Sequence, residues 1–162
     1  MKRQLAVSWE DPQMLAEAGR SMSGLEFLRA IRDGRLPQPP IAELLGFRLV
    51  EVEPGHAVFE VTPGEQHYNP IGVVHGGLAM TLLDSAMGCS VQTQMPAGGG
   101  YTTLEAKTNL TRSITSKTGE LRAIGKVVHV GRRMATAEGR LVDAAGKLYA
   151  HATTTCMVLN EG

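Results

Sequence analysis

The amino-acid sequence predicts an α+β domain in which one antiparallel sheet wraps round a long central helix, with a helical arm in front. Three observations lead there. Residues 78–94 form a stretch of 17 whose only formal charge is Asp84. A helix that is apolar nearly all round belongs inside a protein. Two strand-like runs precede that stretch and four follow it, and short turns between successive strands favour antiparallel pairing in a meander.

From the N-terminus, residues 1–36 read as the arm. Asp11-Pro12 opens a short helix through Gly19, and Ser23 caps a second. Leu25, Leu28 and Ile31 give the second helix an apolar face, opposite Glu26, Arg29, Arg32 and Asp33. Gly34 closes it, and Leu36-Pro37-Gln38-Pro39-Pro40 is a stiff linker. Residues 1–40 therefore stand as arm and linker before a main domain at 41–162. The arm either packs on that domain without chemistry or walls a substrate pocket.

After a helical turn at 41–45, the apolar period becomes two. Phe47, Leu49 and Val52 mark one strand, residues 56–62 the next, and Glu53-Pro54-Gly55 the hairpin turn between them. The central helix follows at 76–94, and Pro96-Ala97-Gly98-Gly99-Gly100 cannot continue it. Four runs complete the chain: 101–112, 119–130, 133–143 and 147–159. In the last, Leu148, Ala150, Ala152, Thr154, Cys156 and Val158 face one way, and Tyr149, His151, Thr153 and Thr155 the other.

Composition narrows the function. The 162 residues suit one domain with a real core, and 43% hydrophobic with 20% charged reads as globular. Net charge is zero, which removes the electrostatic case for nucleic acid. No apolar run is long enough for a membrane span or a signal peptide, so a cytoplasmic protein is expected. Cys89 and Cys156 lack metal or CxxC spacing and read as two buried free thiols in a reducing compartment. No metal is expected, and His56, His67, His129 and His151 form no ligand constellation.

The chemistry concentrates in Asn69-Pro70-Ile71-Gly72-Val73-Val74-His75-Gly76-Gly77 and the helix behind it. Gly76 opens that helix, where backbone N–H groups lack intrahelical partners and the dipole favours negative charge. Without a side chain it admits a carbonyl, and such an oxyanion donor is worth about 3–4 kcal/mol in a transition state. Alternatively, Gly76 and Gly77 merely allow close packing. A carboxylate at Asp84 inside an apolar helix is expensive unless paired. It reads as general base or nucleophile, or else as a structural Asp held by sheet hydroxyls. His75 and Asn69 either place the substrate or fix the loop. Together these groups suit attack on an activated carbonyl.

Asn69, Gly72, His75-Gly76-Gly77 and Asp84, nine residues beyond the His, make the chain resemble a hotdog-fold acyl-CoA thioesterase of the phenylacetic-acid-pathway type. Thr103-Leu104-Glu105, Val127-Val128-His129-Val130-Gly131-Arg132 and Asp143-Ala144-Ala145-Gly146-Lys147-Leu148-Tyr149-Ala150 extend the likeness over about residues 41–160. The resemblance implies hydrolysis of an acyl-CoA thioester with no cofactor beyond the coenzyme A of the substrate. It implies a homodimer, or a dimer of dimers, with sites at the subunit interface. Asn69, His75 and Gly76 would come from one chain, Asp84 and Thr103 from the other. Thr103 would hold the attacking water or the Asp84 carboxylate, although a Thr-rich strand also reflects β propensity. Gly77, Gly131, Arg132 and Arg133 would lie against the substrate, the arginines near the coenzyme A phosphates or simply at a solvated hairpin end. A non-catalytic acyl-CoA-binding module is the alternative, though the arm is too short and too weakly basic for a DNA-binding domain. A hydratase is disfavoured because its differently ordered Asp and His are absent.

Overall fold

The computed structural model describes residues 1–159. In chain order the elements are α1 (Pro12–Ser21), α2 (Gly24–Arg32), α3 (Pro40–Leu45), β1 (Phe47–Glu53), β2 (His56–Val61), α4 (Gly76–Gln92), β3 (Gly100–Leu110), β4 (Leu121–Val130), β5 (Met134–Asp143) and β6 (Leu148–Leu159). All six strands form one antiparallel sheet in the order β1-β2-β4-β5-β6-β3, with α4 on one face. This is the α+β hotdog arrangement.

Local chemistry sets most of the boundaries. Asp11 caps α1 by accepting from the Gln13 N–H at 2.9 Å. Ser23 and Glu26 form a reciprocal capping box on α2. Gly55, at φ +74°, closes the β1–β2 hairpin. The helix stops at Gln92, two residues before the sequence pattern suggests. Beyond it Thr93 is captured: its hydroxyl donates to the Ser90 carbonyl at 2.6 Å and accepts from the Gly55 N–H at 2.8 Å.

The continuous meander suggested by the short turns holds only for β4, β5 and β6. β3 pairs instead with β6, at the far edge of the sheet. Residues 111–120 between β3 and β4 form a connection rather than a tight turn. They carry the chain back across the fold to lie beside β2. Tyr149 is a smaller correction: it is buried, although it alternates with the core-facing residues of β6.

The seat of α4 is made of small residues. Ala57, Gly125, Gly139 and Ala152 are successive cross-strand neighbours on β2, β4, β5 and β6. A Cβ at Gly125 would collide with the Ala86 carbonyl, and one at Gly139 would stand 3.0 Å from Leu83 and Met87. The helix therefore lies almost on the sheet backbone. Leu82, Leu83, Met87 and Val91 are fully buried there, each contributing about 1.5–3 kcal/mol.

The sheet does not enclose the helix on every side. Met80 and Asp84 are exposed, as are Leu104 and Leu110 on β3. No residue of β3 is fully buried. At the other end, α2 is pinned to the C-terminal turn of α4. The Gly24 N–H donates to the Met95 carbonyl at 3.0 Å, and a Cβ at 24 would collide with the Gln92 carbonyl. Leu28 and Ile31 bury the apolar face of α2, whereas α1 buries no residue.

Candidate active site

The loop before α4 is held by its own polar groups. The Asn69 Oδ1 accepts from the Ile71 N–H at 3.1 Å and the Val73 N–H at 3.3 Å. Gly72 takes the left-handed conformation this tight loop needs, at φ +85°. Of the two roles open to Asn69, its carbonyl oxygen thus fills the loop-fixing one.

His75 is the N-cap of α4. Its Nδ1 accepts from the Gly77 N–H at 2.8 Å, and its own backbone N–H donates to the His67 carbonyl at 2.8 Å. Accepting at Nδ1 places the imidazole proton on Nε2. A Cβ at Gly77 would lie 2.8 Å from the His75 ring nitrogen, so a glycine there admits the cap. The direct substrate contact expected of Gly77 narrows accordingly, because its N–H is engaged. Gly76 differs. Among the described residues its N–H has no acceptor, as befits the first position of a helix. It opens onto a cavity of about 340 Å³ lined also by Asn69, Leu110 and Arg112. A Cβ on Gly76 would stand 2.5 Å from the Leu110 methyl, so a glycine here allows close packing against β3.

His67 locks the same loop from behind. Its Nδ1 accepts from the Gly64 N–H at 3.0 Å and its Nε2 donates to the Leu45 carbonyl at 3.1 Å. Burial holds its pKa below the ordinary value, opposed by the Leu45 bond. The neutral ring is the one the fold uses, so its contribution is complete above the unfolded value of about 6.5. It is lost as pH falls through the lowered folded value, because the unfolded chain takes up the proton first. Between about pH 7.5 and about pH 5.5 the thermal midpoint of His67→Gln is expected to fall less than that of the parent protein. An equal fall in melting experiments would contradict this. From sequence His67 reads as an ordinary residue, since its Leu45 partner is 22 residues away and only the fold joins them.

Asp84 stands two turns farther along α4. The sequence marks it as a buried carboxylate, but it is exposed, on the side of α4 that the sheet leaves open. An apolar helix face need not be covered by its own chain. Thr103 is beside it: the Thr103 Oγ1 donates to the Asp84 Oδ1 at 2.9 Å. Both line a cavity of about 350 Å³ with Met80, Thr81, Ala106 and Thr108. Gly76 and Asp84 are eight residues apart on one helix, hence separated by about 12 Å along its axis. One chain therefore presents an N–H donor and a carboxylate–hydroxyl pair at two separate places.

Gly131, Arg132 and Arg133 form the β4–β5 hairpin, with the Gly131 N–H donating to the Met134 carbonyl at 2.7 Å. Both arginines are exposed, and among the described residues neither forms an ion pair. The register Met134–Met157–Thr102 places this hairpin at the Thr103 end of the sheet, away from Leu110 and Gly76. Two strand spacings, about 10 Å, separate β5 from β3. Cys156 is buried, but Cys89 is only partly so and lines a cavity, which corrects the expectation of two buried thiols. Among the described residues no helix is long and apolar enough to cross a membrane.

Comparison with known proteins bears on the fold and the family. The profile of the Thioesterase superfamily matches residues 71–150, from the loop before α4 into β6. Human acyl-coenzyme A thioesterase 13 is 32% identical over 109 residues, spanning 66% of this chain and 76% of that protein. The 1,4-dihydroxy-2-naphthoyl-CoA hydrolase of Listeria monocytogenes is 26% identical over 108 residues, covering 67% and 86% of the two chains. Among solved structures, a mutant of the phenylacetic acid degradation protein PaaI from Thermus thermophilus superposes with a TM-score of 0.68. It is 30% identical and covers 75% of this chain and 100% of its own. The fold and these relatives agree: the chain belongs to the thioesterase superfamily.

Proposed function

We propose that this protein hydrolyses an acyl-CoA thioester to a carboxylic acid and free coenzyme A. The Gly76 N–H carries the reading. Among the described residues it is an unclaimed donor at the positive end of a long helix, facing a cavity, while Asn69 fixes the loop before it and His75 holds the Gly77 N–H. A thioester carbonyl accepting from it develops its negative charge where the donor is already aimed. Water adds to the carbonyl carbon as Asp84 takes its proton as general base, and the C–S bond then breaks with that proton passing to the leaving sulfur, which departs as the thiol. If Asp84 acts instead as nucleophile, water resolves the mixed anhydride to the same products. Thr103 orients the carboxylate through the 2.9 Å bond.

An axial gap of about 12 Å keeps Gly76 and Asp84 of one chain from acting on one carbonyl. We therefore assign each site to two copies of the chain, Gly76 from one and Asp84 from the other, in a homodimer or a dimer of dimers. The unpaired edge of β3 and the exposed Met80, Leu104 and Leu110 support that association. Arg132 and Arg133 are assigned to the coenzyme A phosphates, Arg being suited to bidentate phosphate contact. The free thiols fit a cytoplasmic enzyme.

Thiol release over a panel of acyl-CoA substrates tests the activity, and its complete absence would point to a binding module. Subunit mixing tests the shared site. A Gly76-defective chain combined with an Asp84→Ala chain regenerates one intact site per mixed dimer. Random exchange should restore about a quarter of parental activity, whereas a site contained in one chain would stay dead on mixing.

A further inference from the structure

A cavity of about 620 Å³ lies between the helical arm and the end of the α4–β3 contact. α1 supplies Leu15 and Gly19, α2 Phe27 and Leu28, α4 Cys89, and β3 Tyr101. No carboxylate lines it, and its one cation, Arg20, is exposed. The Cys89 thiol is pushed up to about 12, by burial first and by the Asp84 charge second, so it is a neutral and effectively apolar part of the wall.

This cavity lies beside the chemistry just assigned. Asp84 and Thr103 form one rung of the α4–β3 contact. One helical turn on and two strand residues back, Gly88 and Tyr101 form the next. A Cβ at Gly88 would collide with the Tyr101 hydroxyl, so the missing side chain lets the ring lie across the helix. Each step is about 6–7 Å, and the cavity begins at that second rung. Its far wall is the arm, which precedes the family-matched segment 71–150 and is fixed to α4 through Gly24.

We infer that this cavity takes the distal part of an unbranched alkyl acyl group, and that the arm sets the chain length the enzyme accepts. The inference rests on the thioesterase reading above. A volume within the usual 300–1,000 Å³ of small-molecule pockets, an apolar lining and a wall one rung from the carboxylate suit a flexible alkyl tail. Coenzyme A itself, charged and polar, suits none of them.

Gly19 gives the test. A Cβ there meets only the Phe27 ring, at an ordinary 3.8 Å, so a larger side chain is tolerated at its root and extends toward the cavity. Leucine is also the better helix former. The ratio of kcat/KM for dodecanoyl-CoA to that for butanoyl-CoA is expected to fall at least tenfold in Gly19→Leu, at roughly fourfold per displaced methylene. A melting curve establishes that the variant is folded. Calorimetry in an Asp84→Ala background should show the same loss of dodecanoyl-CoA affinity without turnover. An unchanged ratio and unchanged affinity overturn the inference. So does a loss confined to phenylacetyl-CoA, which would make this an aryl pocket. If the parent protein cleaves no acyl-CoA, the thioesterase reading fails and calorimetry alone decides the pocket.

Discussion

Replacing Asp84 by alanine is expected to lower kcat/KM for an accepted acyl-CoA by roughly 10²–10⁴-fold, the usual worth of a positioned base. The fold should survive. Asp84 is exposed, its side chain is held among the described residues only by Thr103, and alanine is the better helix former. Exposed substitutions of this kind shift stability by about 0.5 kcal/mol or less. A thiol-release assay beside a thermal melt separates the two effects. A folded Asp84→Ala enzyme with near-parental turnover would remove Asp84 from the mechanism.

The second large effect concerns a single hydrogen atom. Proline at position 76 deletes the Gly76 N–H at the helix position where proline is best tolerated. His75 already has the extended backbone that precedes a proline, at φ −61° and ψ 132°. The obstacle is steric, since a Cβ at 76 meets Leu110. The comparison is therefore made with Leu110→Ala in both partners, Gly76→Pro against Gly76→Ala. The proline variant is expected to lose about 10²–10³-fold in kcat relative to the alanine control, which keeps the N–H. Equal rates would show that another group holds the oxyanion.

Much of this was legible in the chain because it is local. Ser23 stands just before the helix it caps, Pro54-Gly55 turns a hairpin by itself, and a helix with a single charge announces its burial. The site was half legible for the same reason. His75, Gly76 and Gly77 are neighbours in sequence and in space, and the Gly at 77 is explained by the ring at 75. What escaped was decided at a distance. β3 pairs with β6 because a ten-residue connection is free to cross, and no periodicity records where it lands. The sequence puts Asp84 in the interior because an apolar pattern specifies that a face is to be covered, without specifying by which chain.

The row of Ala57, Gly125, Gly139 and Ala152 has a consequence for how such an enzyme diversifies. Where the helix rests on bare backbone, no adjustable side chain lies beneath it. Enlarging Gly125 would push α4 away and carry the N–H of Gly76 and the carboxylate of Asp84 with it. That floor is closed to gradual change. The open side of α4, the edge of β3 and the arm carry ordinary side chains and have no such restriction. Variation in what is recognised can accumulate there while the chemistry stays in register, as a lathe holds its spindle fixed and exchanges the tool.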